Sequence, residues 1–291
     1  MYSVYVIAAP IETLICKRLH DGKFIILFFA KVMGNHFRHI KAFGQHFLRN
    51  EETALQIVQA LQPLTLAENI LEIGPGLGVL TNHLKKITDK QLYVSELDKR
   101  IIAILKSEQQ FDDEHILEGD FLQSSPEKHI NGPFMLIGNF PYNISSQILF
   151  KMLDHLELVP LMVGMFQKEM ALRVVAGHGN KDYGVISVLV QVYYDCEYLF
   201  ELPPEAFDPP PKVHSAVIRL TRKPNPEKFN PTLLKQVVKT GFNQRRKKLS
   251  NSLSPVHGAK EAAIRLNFAD LRAEQLSVSD FILLSNTIEN P

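Results

Sequence analysis

The side chains able to do chemistry sit just after short apolar runs. Glu72-Ile-Gly74-Pro-Gly76-Leu-Gly78 is a glycine-rich turn, in which the backbone turns tightly and approaches a ligand closely. It departs from the dinucleotide fingerprint GxGxxG, because the third glycine comes one residue early and Val79 takes the sixth position. That spacing leans away from NAD. Roughly twenty residues on, Glu96 stands where a carboxylate hydrogen-bonds ribose hydroxyls. Gly119-Asp120-Phe121 follows. Each acid alone reads more readily as a solvated loop carboxylate, but three such sites at successive strand ends describe a nucleoside pocket with no need for metal. The stretch Gly138-Asn139-Phe140-Pro141-Tyr142-Asn143 adds two neighbouring hydrogen-bond acceptors, the Asn139 side-chain oxygen and the Pro141 carbonyl, beside an aromatic ring. Acceptors so placed can take the N–H bonds of an amino group. Pro141 lacks an N–H and stiffens the loop; the bland reading is a tight turn under a sheet.

The elements that must position these residues are legible from Asn50 onward. Asn50 is a helix cap, with Glu51 and Glu52 in the first turn and apolar residues at Ala54, Leu55, Ile57, Val58 and Leu61. Residues 70–73, 92–95, 115–117, 134–137 and 161–166 read as buried strands, and 79–87, 99–109, 145–155 and 168–176 as helices between or after them. Strand and helix in alternation predict an α/β fold with a doubly wound, Rossmann-like sheet. The runs Val185–Tyr194 and His214–Leu220 have turn signals between them and are expected to close the sheet as an antiparallel pair. Lys223-Pro-Asn-Pro then reads as a linker to a small all-helical C-terminal domain, which puts a catalytic domain at 33–222 and a helical domain at 223–291.

Composition narrows the classes further. The chain has 32 basic and 31 acidic residues and 45% hydrophobic ones, an ordinary globular balance with enough apolar mass for a sizeable core. The charge is segregated: residues 219–250 hold 10 basic and 1 acidic side chain, and 51–218 hold 12 and 23. A basic block beside an acidic body is the footprint of a polyanion-binding face, against the alternative of a merely solvated charge run. Cys16 and Cys196, with no CxxC pair, argue against a zinc ribbon and a disulfide scaffold, and for a reducing cytoplasm. No apolar run reaches the ~20 residues a membrane-spanning helix needs. Residues 1–32 fit no targeting class and show no clear period, whereas Met33 opens a segment that reads as a natural start. They are expected to be an upstream extension outside the function, the alternative being a short amphipathic anchor.

Asn139-Phe-Pro-Tyr142 resembles the Asn-Leu-Pro-Tyr of ribosomal RNA adenine-N6 dimethyltransferases. Phe43-Gly-Gln45-His46-Phe47-Leu48, Ile73–Gly78, Gln167-Lys-Glu169 with Arg173, Tyr183–Ser187, Phe207–Val213 and Phe242–Leu253 are similar to that family's blocks and follow in its order. The resemblance covers residues 38–285 and is greatest to the bacterial small-subunit (16S) rRNA branch. His46 stands where the family often has Asn, and Phe140 where Leu is usual.

The resemblance implies a class I S-adenosylmethionine-dependent methyltransferase that dimethylates N6 of two adjacent adenines in the 3′-terminal hairpin of small-subunit rRNA. It would act as a cytoplasmic monomer in subunit biogenesis, on rRNA or the assembling 30S subunit. It implies cofactor contacts at His46, Leu48, Gly74, Gly76, Glu96, Asp120 and Asn139, with Asp120 at the adenine amine. Catalysis falls to Asn139, Pro141, Tyr142 and Phe207, the two rings holding the extruded base. RNA contacts fall to Arg245, Arg246, Lys247 and Lys248. An exocyclic amine is a poor nucleophile because its lone pair is delocalised into the ring. Acceptors on its N–H bonds localise that pair, and the acidity of the product ammonium removes the need for a strong base. Three other readings stand beside this one: a large-subunit rRNA or DNA adenine methyltransferase, a non-catalytic nucleic-acid-binding factor of the same fold, and an NAD-dependent oxidoreductase.

Overall fold

The computed structural model describes residues 4–8, 13–18, 24–25, 45–107, 111–225 and 227–290. These fall into two compact units, Met1–Gln45 and His46–Pro291. In the first, β1 (Val4–Ala8), β2 (Thr13–Arg18) and β3 (Phe24–Ile25) form an antiparallel sheet, with Val4 opposite Lys17 and Lys17 opposite Ile25. Their β-branched and aromatic residues suit a pleated surface. Strands this short carry too few residues for a period to be read, which is why the sequence alone left them unassigned. Met33 and the Phe43-Gly44 pair lie outside the described residues.

The second unit begins with a two-residue strand, β4 (Phe47–Leu48). Helix α1 (Glu51–Gln59) follows, its first turn capped by the Asn50 side chain accepting from the Thr53 N–H at 2.9 Å. Strand and helix then alternate as β5 (Asn69–Ile73), α2 (Val79–Ile87), β6 (Gln91–Glu96), α3 (Lys99–Ser107), β7 (Ile116–Glu118), β8 (Phe134–Asn139), α4 (Ser145–Asp154), β9 (Leu161–Gln167) and α5 (Lys168–Val175). The run from Val185 was expected as a strand, and here the structure differs. Val185–Gln191 is a helix, α6, and the strand β10 is Tyr194–Leu202. The Ser187 hydroxyl accepts the Gly184 N–H at 2.9 Å and caps the helix start. Ser187, Val188, Leu189 and Val190 are all buried, and a run apolar on every side looks alike as strand or helix.

Strands β11 (Phe207–Asp208) and β12 (Ser215–Arg222) complete the set; β11 pairs with β4, outside the main sheet. The main sheet runs β10-β12-β9-β8-β5-β6-β7, parallel from β7 to β9 and antiparallel at β12 and β10. Successive residues alternate between two cores. Ile70, Met135, Ile137, Val163 and Met165 join one, and Leu71, Leu136, Met162 and Phe166 the other. The chain builds β6 and β7 on one side of β5 and then crosses to β8 on its other side. That reversal opens a crevice at the carboxyl ends of β5 and β8, where ligands bind in sheets of this kind.

After Arg222 the chain is helical: α7 (Pro231–Asn243), α8 (Leu249–Ser252), α9 (Ala259–Arg265) and α10 (Val278–Glu289). Their core includes Leu234, Val238, Leu253 and Phe281, and it also takes in Tyr183, Val188 and Val192 from around α6. The helical region therefore shares apolar packing with residues that precede the 222/223 boundary.

Candidate active site

The turn after β5 is held open by glycine geometry. Gly74 and Gly76 have φ of 66° and 55°, a region glycine enters without penalty. A Cβ on Gly74 would meet nothing within 4 Å, so the backbone there faces open space. A Cβ on Gly76 would come within 2.9 Å of the Phe47 ring, which lies against the turn. The Gly74 N–H donates to the Ser95 carbonyl at 2.9 Å, and the Gly119 N–H to the Glu96 carbonyl at 2.8 Å. These two bonds stitch the ends of β5, β6 and β7 into one rim.

Glu96 closes β6 with its side chain turned back on its own loop. Oε1 accepts the N–H groups of Leu97 and Asp98, both at 2.8 Å. Burial raises this carboxyl above its ordinary range, opposed by those two hydrogen bonds, and the Asp98 charge pushes it the same way as burial. Asp98 is itself buried and carries Arg100 on both oxygens, at 3.0 and 2.6 Å. Asp120 caps the turn after β7 by accepting the Leu122 N–H at 2.9 Å and the Gln123 amide at 3.3 Å. Lys151 on α4 fastens the same turn through the Leu122 and Ser124 carbonyls, at 3.0 and 2.6 Å. The rim is thus acidic and anchored by its own backbone.

Asn139 ends β8, level with Met165 of β9. Its Nδ2 donates to the His46 carbonyl at 2.7 Å, which fixes the amide and leaves Oδ1 an acceptor with no hydrogen bond from the described residues. The Pro141 carbonyl accepts the Ile144 N–H at 3.1 Å, and a carbonyl keeps a second lone pair. Phe140 points into the core, edge-to-face on Phe166 at 5.1 Å and 66°. Its ring lies across Gly138 and Gly164, where a Cβ would collide with it. The Tyr142 hydroxyl meets the Ser215 hydroxyl at 2.5 Å, and burial raises its phenol above the ordinary value against the pull of that bond.

Several expected site residues sit differently. Phe207, expected to stack on the acceptor base, is 1% exposed and packs in the core beside Leu202 and Val217. Its strand pairing with Leu48 turns the ring inward. Leu48 is likewise a core side chain, so only its backbone faces β11. The His46 ring has two protein partners: Nδ1 lies 2.7 Å from the Pro209 carbonyl, and the ring stacks on Tyr142 at 5.5 Å and 25°.

Arg245, of the basic block, already has protein partners. Its Nε donates to Glu274, and its Nη2 to the carbonyls of Lys181 at 2.7 Å and Asn180 at 3.4 Å. Lys248 pairs with Asp270 at 2.7 Å. Arg246 and Lys247 are exposed, with no ion pair to any described residue.

Sequence reasoning passed over Glu72, Phe47 and Ser215. Glu72 carried a signal, a charged residue inside an otherwise apolar strand. Ser215 carried none, since only the fold brings it to Tyr142.

The ribosomal RNA adenine dimethylase family matches residues 36–290. A ribosomal RNA small subunit methyltransferase A from Bacteroides fragilis is 46% identical over 251 residues, covering 86% of this chain and 92% of that protein. One from Cytophaga hutchinsonii is 45% identical over 251 residues, covering 85% and 96%. Among solved structures, a dimethyladenosine transferase from Plasmodium falciparum superposes with a TM-score of 0.75 at 24% identity, over 84% of this chain and 98% of that one. A 23S rRNA methyltransferase superposes at 0.64 with 22% identity, over 84% and 99%. At those identities the two structures establish a common fold.

Proposed function

Since the chain belongs to the ribosomal RNA adenine dimethylase family, we propose that it transfers methyl groups from S-adenosylmethionine to N6 of adenines in small-subunit (16S) rRNA. The product is N6,N6-dimethyladenine on two adjacent residues of the 3′-terminal hairpin, made during small-subunit biogenesis. The enzyme acts on rRNA or the assembling 30S subunit, as a monomer in the cytoplasm. Among the described residues no helix is long and apolar enough to cross a membrane.

The crevice fits the cofactor. Gly74 leaves open space above the turn, and the carboxyls of Glu96 and Asp120, at the ends of β6 and β7, suit a ligand that carries positive charge. Glu96, whose carboxyl is held by the backbone N–H groups of Leu97, Asp98 and Gly76, turns its remaining lone pairs to ribose hydroxyls. Gly74 and Gly76 supply backbone for the amino-acid end, and Asp120 lies at the rim for the adenine amine. The cofactor, when bound, supplies the electrophilic sulfonium methyl.

The observation that carries the reading is the orientation of Asn139. With Nδ2 given to the His46 carbonyl, Oδ1 accepts one N–H of the adenine amine, and the second lone pair of the Pro141 carbonyl accepts the other. Two acceptors on one amine draw its nitrogen toward sp³ and aim the lone pair outward. These bonds strengthen as the nitrogen rehybridises, so they favour the transition state over the bound substrate. Tyr142 offers a ring for the extruded base, a contact worth ~1–3 kcal/mol per base. The product ammonium loses its proton to water.

The test is to incubate the protein with methyl-labelled S-adenosylmethionine and unmodified small- or large-subunit rRNA, then digest and map by mass spectrometry. N6,N6-dimethyladenine in the 3′-terminal fragment of the small-subunit rRNA is the expected result. Label confined to large-subunit rRNA, or absent from both, overturns the reading.

A further inference from the structure

Tyr142 offers its ring to the extruded base, and the outer end of that ring is held by a residue 73 positions further along the chain. The backbone of Tyr142 is fixed at the start of α4, where its carbonyl accepts the Ser145 hydroxyl at 3.1 Å. That bond places the Cα and leaves both side-chain torsions to be decided by what the ring meets. One face of the ring lies on His46 at 5.5 Å and 25°, a contact along which stacked rings can slide. The far end is held by direction: the Tyr142 hydroxyl meets the Ser215 hydroxyl at 2.5 Å.

Ser215 is a stiff anchor for that bond. It opens β12, which is paired on both sides, so that Gln167 of β9 stands opposite it on one side and Leu202 of β10 on the other. It is 0% exposed, and Tyr142 is the one side-chain partner of its hydroxyl among the described residues. A buried hydroxyl costs free energy when it goes without a partner, so the pairing is favoured from the Ser215 end as well. Burial raises the Tyr142 phenol above its ordinary value, opposed by the bond to Ser215, and the hydroxyl keeps its proton throughout the neutral range. With one end on the acceptor loop and the other on the main sheet, the ring is aimed before any base arrives.

We propose that Ser215 is a positioning residue for methyl transfer: its hydroxyl, carried on the sheet, tethers the outer end of Tyr142 and holds that ring in place as the platform for the target base. This rests on the reading of Tyr142 as the platform. A base that stacks on a ring already in place orders less on binding than one that must also fix the ring, so the tether serves the productive pose of the RNA and leaves the cofactor alone.

The test is a double-mutant cycle with Ser215→Ala and Tyr142→Phe, each of which removes one half of the same bond. Single-turnover methylation of unmodified small-subunit rRNA, free or in 30S particles, is measured at saturating cofactor, with cofactor affinity taken from titration calorimetry. We expect each single variant to slow transfer about fivefold, the scale of one neutral hydrogen bond, and the double variant to be no more than about twofold slower than either. Cofactor affinity stays within about twofold of wild type in all three. A wild-type rate in either single variant overturns the proposal. So do losses that multiply in the double variant, because Ser215 would then act through the sheet and not through Tyr142, and so does a fall in cofactor affinity that accounts for the rate. If circular dichroism shows Ser215→Ala unfolded, Tyr142→Phe decides: a slowing of about fivefold supports the tether and a wild-type rate overturns it. Tyr142→Ala tests the reading underneath and should lose far more than Tyr142→Phe. A wild-type rate there removes the ring as the base's platform, a result distinct from any pattern in the cycle.

Discussion

Glu72→Gln should change how stability depends on pH, in a direction and over a window that the structure sets. Glu72 lies on β5 with 1% of its surface exposed, its Oε2 accepting the Thr81 hydroxyl of α2 at 2.7 Å. Burial pushes its carboxyl from 4.5 up to about 7, the Thr81 bond and the Lys85 charge hold it down, and the Glu96 charge lifts it. Between those two values the folded protein keeps a proton that the unfolded chain has already lost. Stability contributed by the neutral carboxyl is therefore full below pH 4.5, declines as pH rises to about 7, and stays low above it. At about 1.4 kcal/mol per pH unit, the interval is worth ~3 kcal/mol. Gln resembles the protonated acid in shape and still accepts from Thr81, so the variant should match wild type near pH 4.5 and exceed it by ~3 kcal/mol near pH 7.5. The chain has no tryptophan, so urea unfolding would be followed by far-ultraviolet circular dichroism across pH 4.5–8.5. Subtracting wild type from variant removes every other titrating group common to both. A flat difference across the window, or one that rises toward acid, would refute the assignment of a buried, proton-binding Glu72.

Asn139→Ala should leave S-adenosylmethionine affinity within about twofold and slow methyl transfer by two orders of magnitude or more, whereas Glu96→Ala and Asp120→Ala should each weaken cofactor binding about tenfold by calorimetry. Gly164→Ala drives a methyl into the Phe140 and Phe166 rings and should cost ~1–3 kcal/mol in urea unfolding. Adding Phe140→Leu should recover part of that loss, the Phe166 contact remaining, and additive losses would show that the Phe140 ring is not an obstacle. Arg246→Ala with Lys247→Ala should weaken RNA binding and flatten the plot of log affinity against log salt by ~0.7–0.9 for each phosphate no longer neutralised. Arg245→Ala should instead lower the thermal midpoint, because its donors serve Glu274 and the Lys181 and Asn180 carbonyls. A chain that starts at Met33 should methylate as well as the full chain, and loss of activity with the fold intact would show that residues 1–32 contribute.

The alternation of buried strands and amphipathic helices from Asn50 to Val175 was legible in the sequence because each run is long enough to show its period and is bounded by its own caps and turns. Asn50, the glycines of 74–78 and Pro141 act on neighbouring backbone, and local chemistry is visible locally. For the same reason Glu96, Asp120 and Asn139 could be assigned to one crevice from their places at strand ends. Fold alone decided what depends on residues far apart in the chain. Phe207 reads as an aromatic in a proline-rich loop, yet pairing with Leu48 across the molecule buries it. Arg245 reads as part of a basic block, yet Glu274 and the 180–181 carbonyls claim it. Val185–Gln191 is apolar all round, so its conformation was settled by what surrounds it and by a cap between Gly184 and Ser187. The orientation of the Asn139 amide was invisible for the same reason: it depends on a carbonyl 93 residues away in sequence, and a hydrogen-bond partner at that distance leaves no mark on local composition, spacing or period.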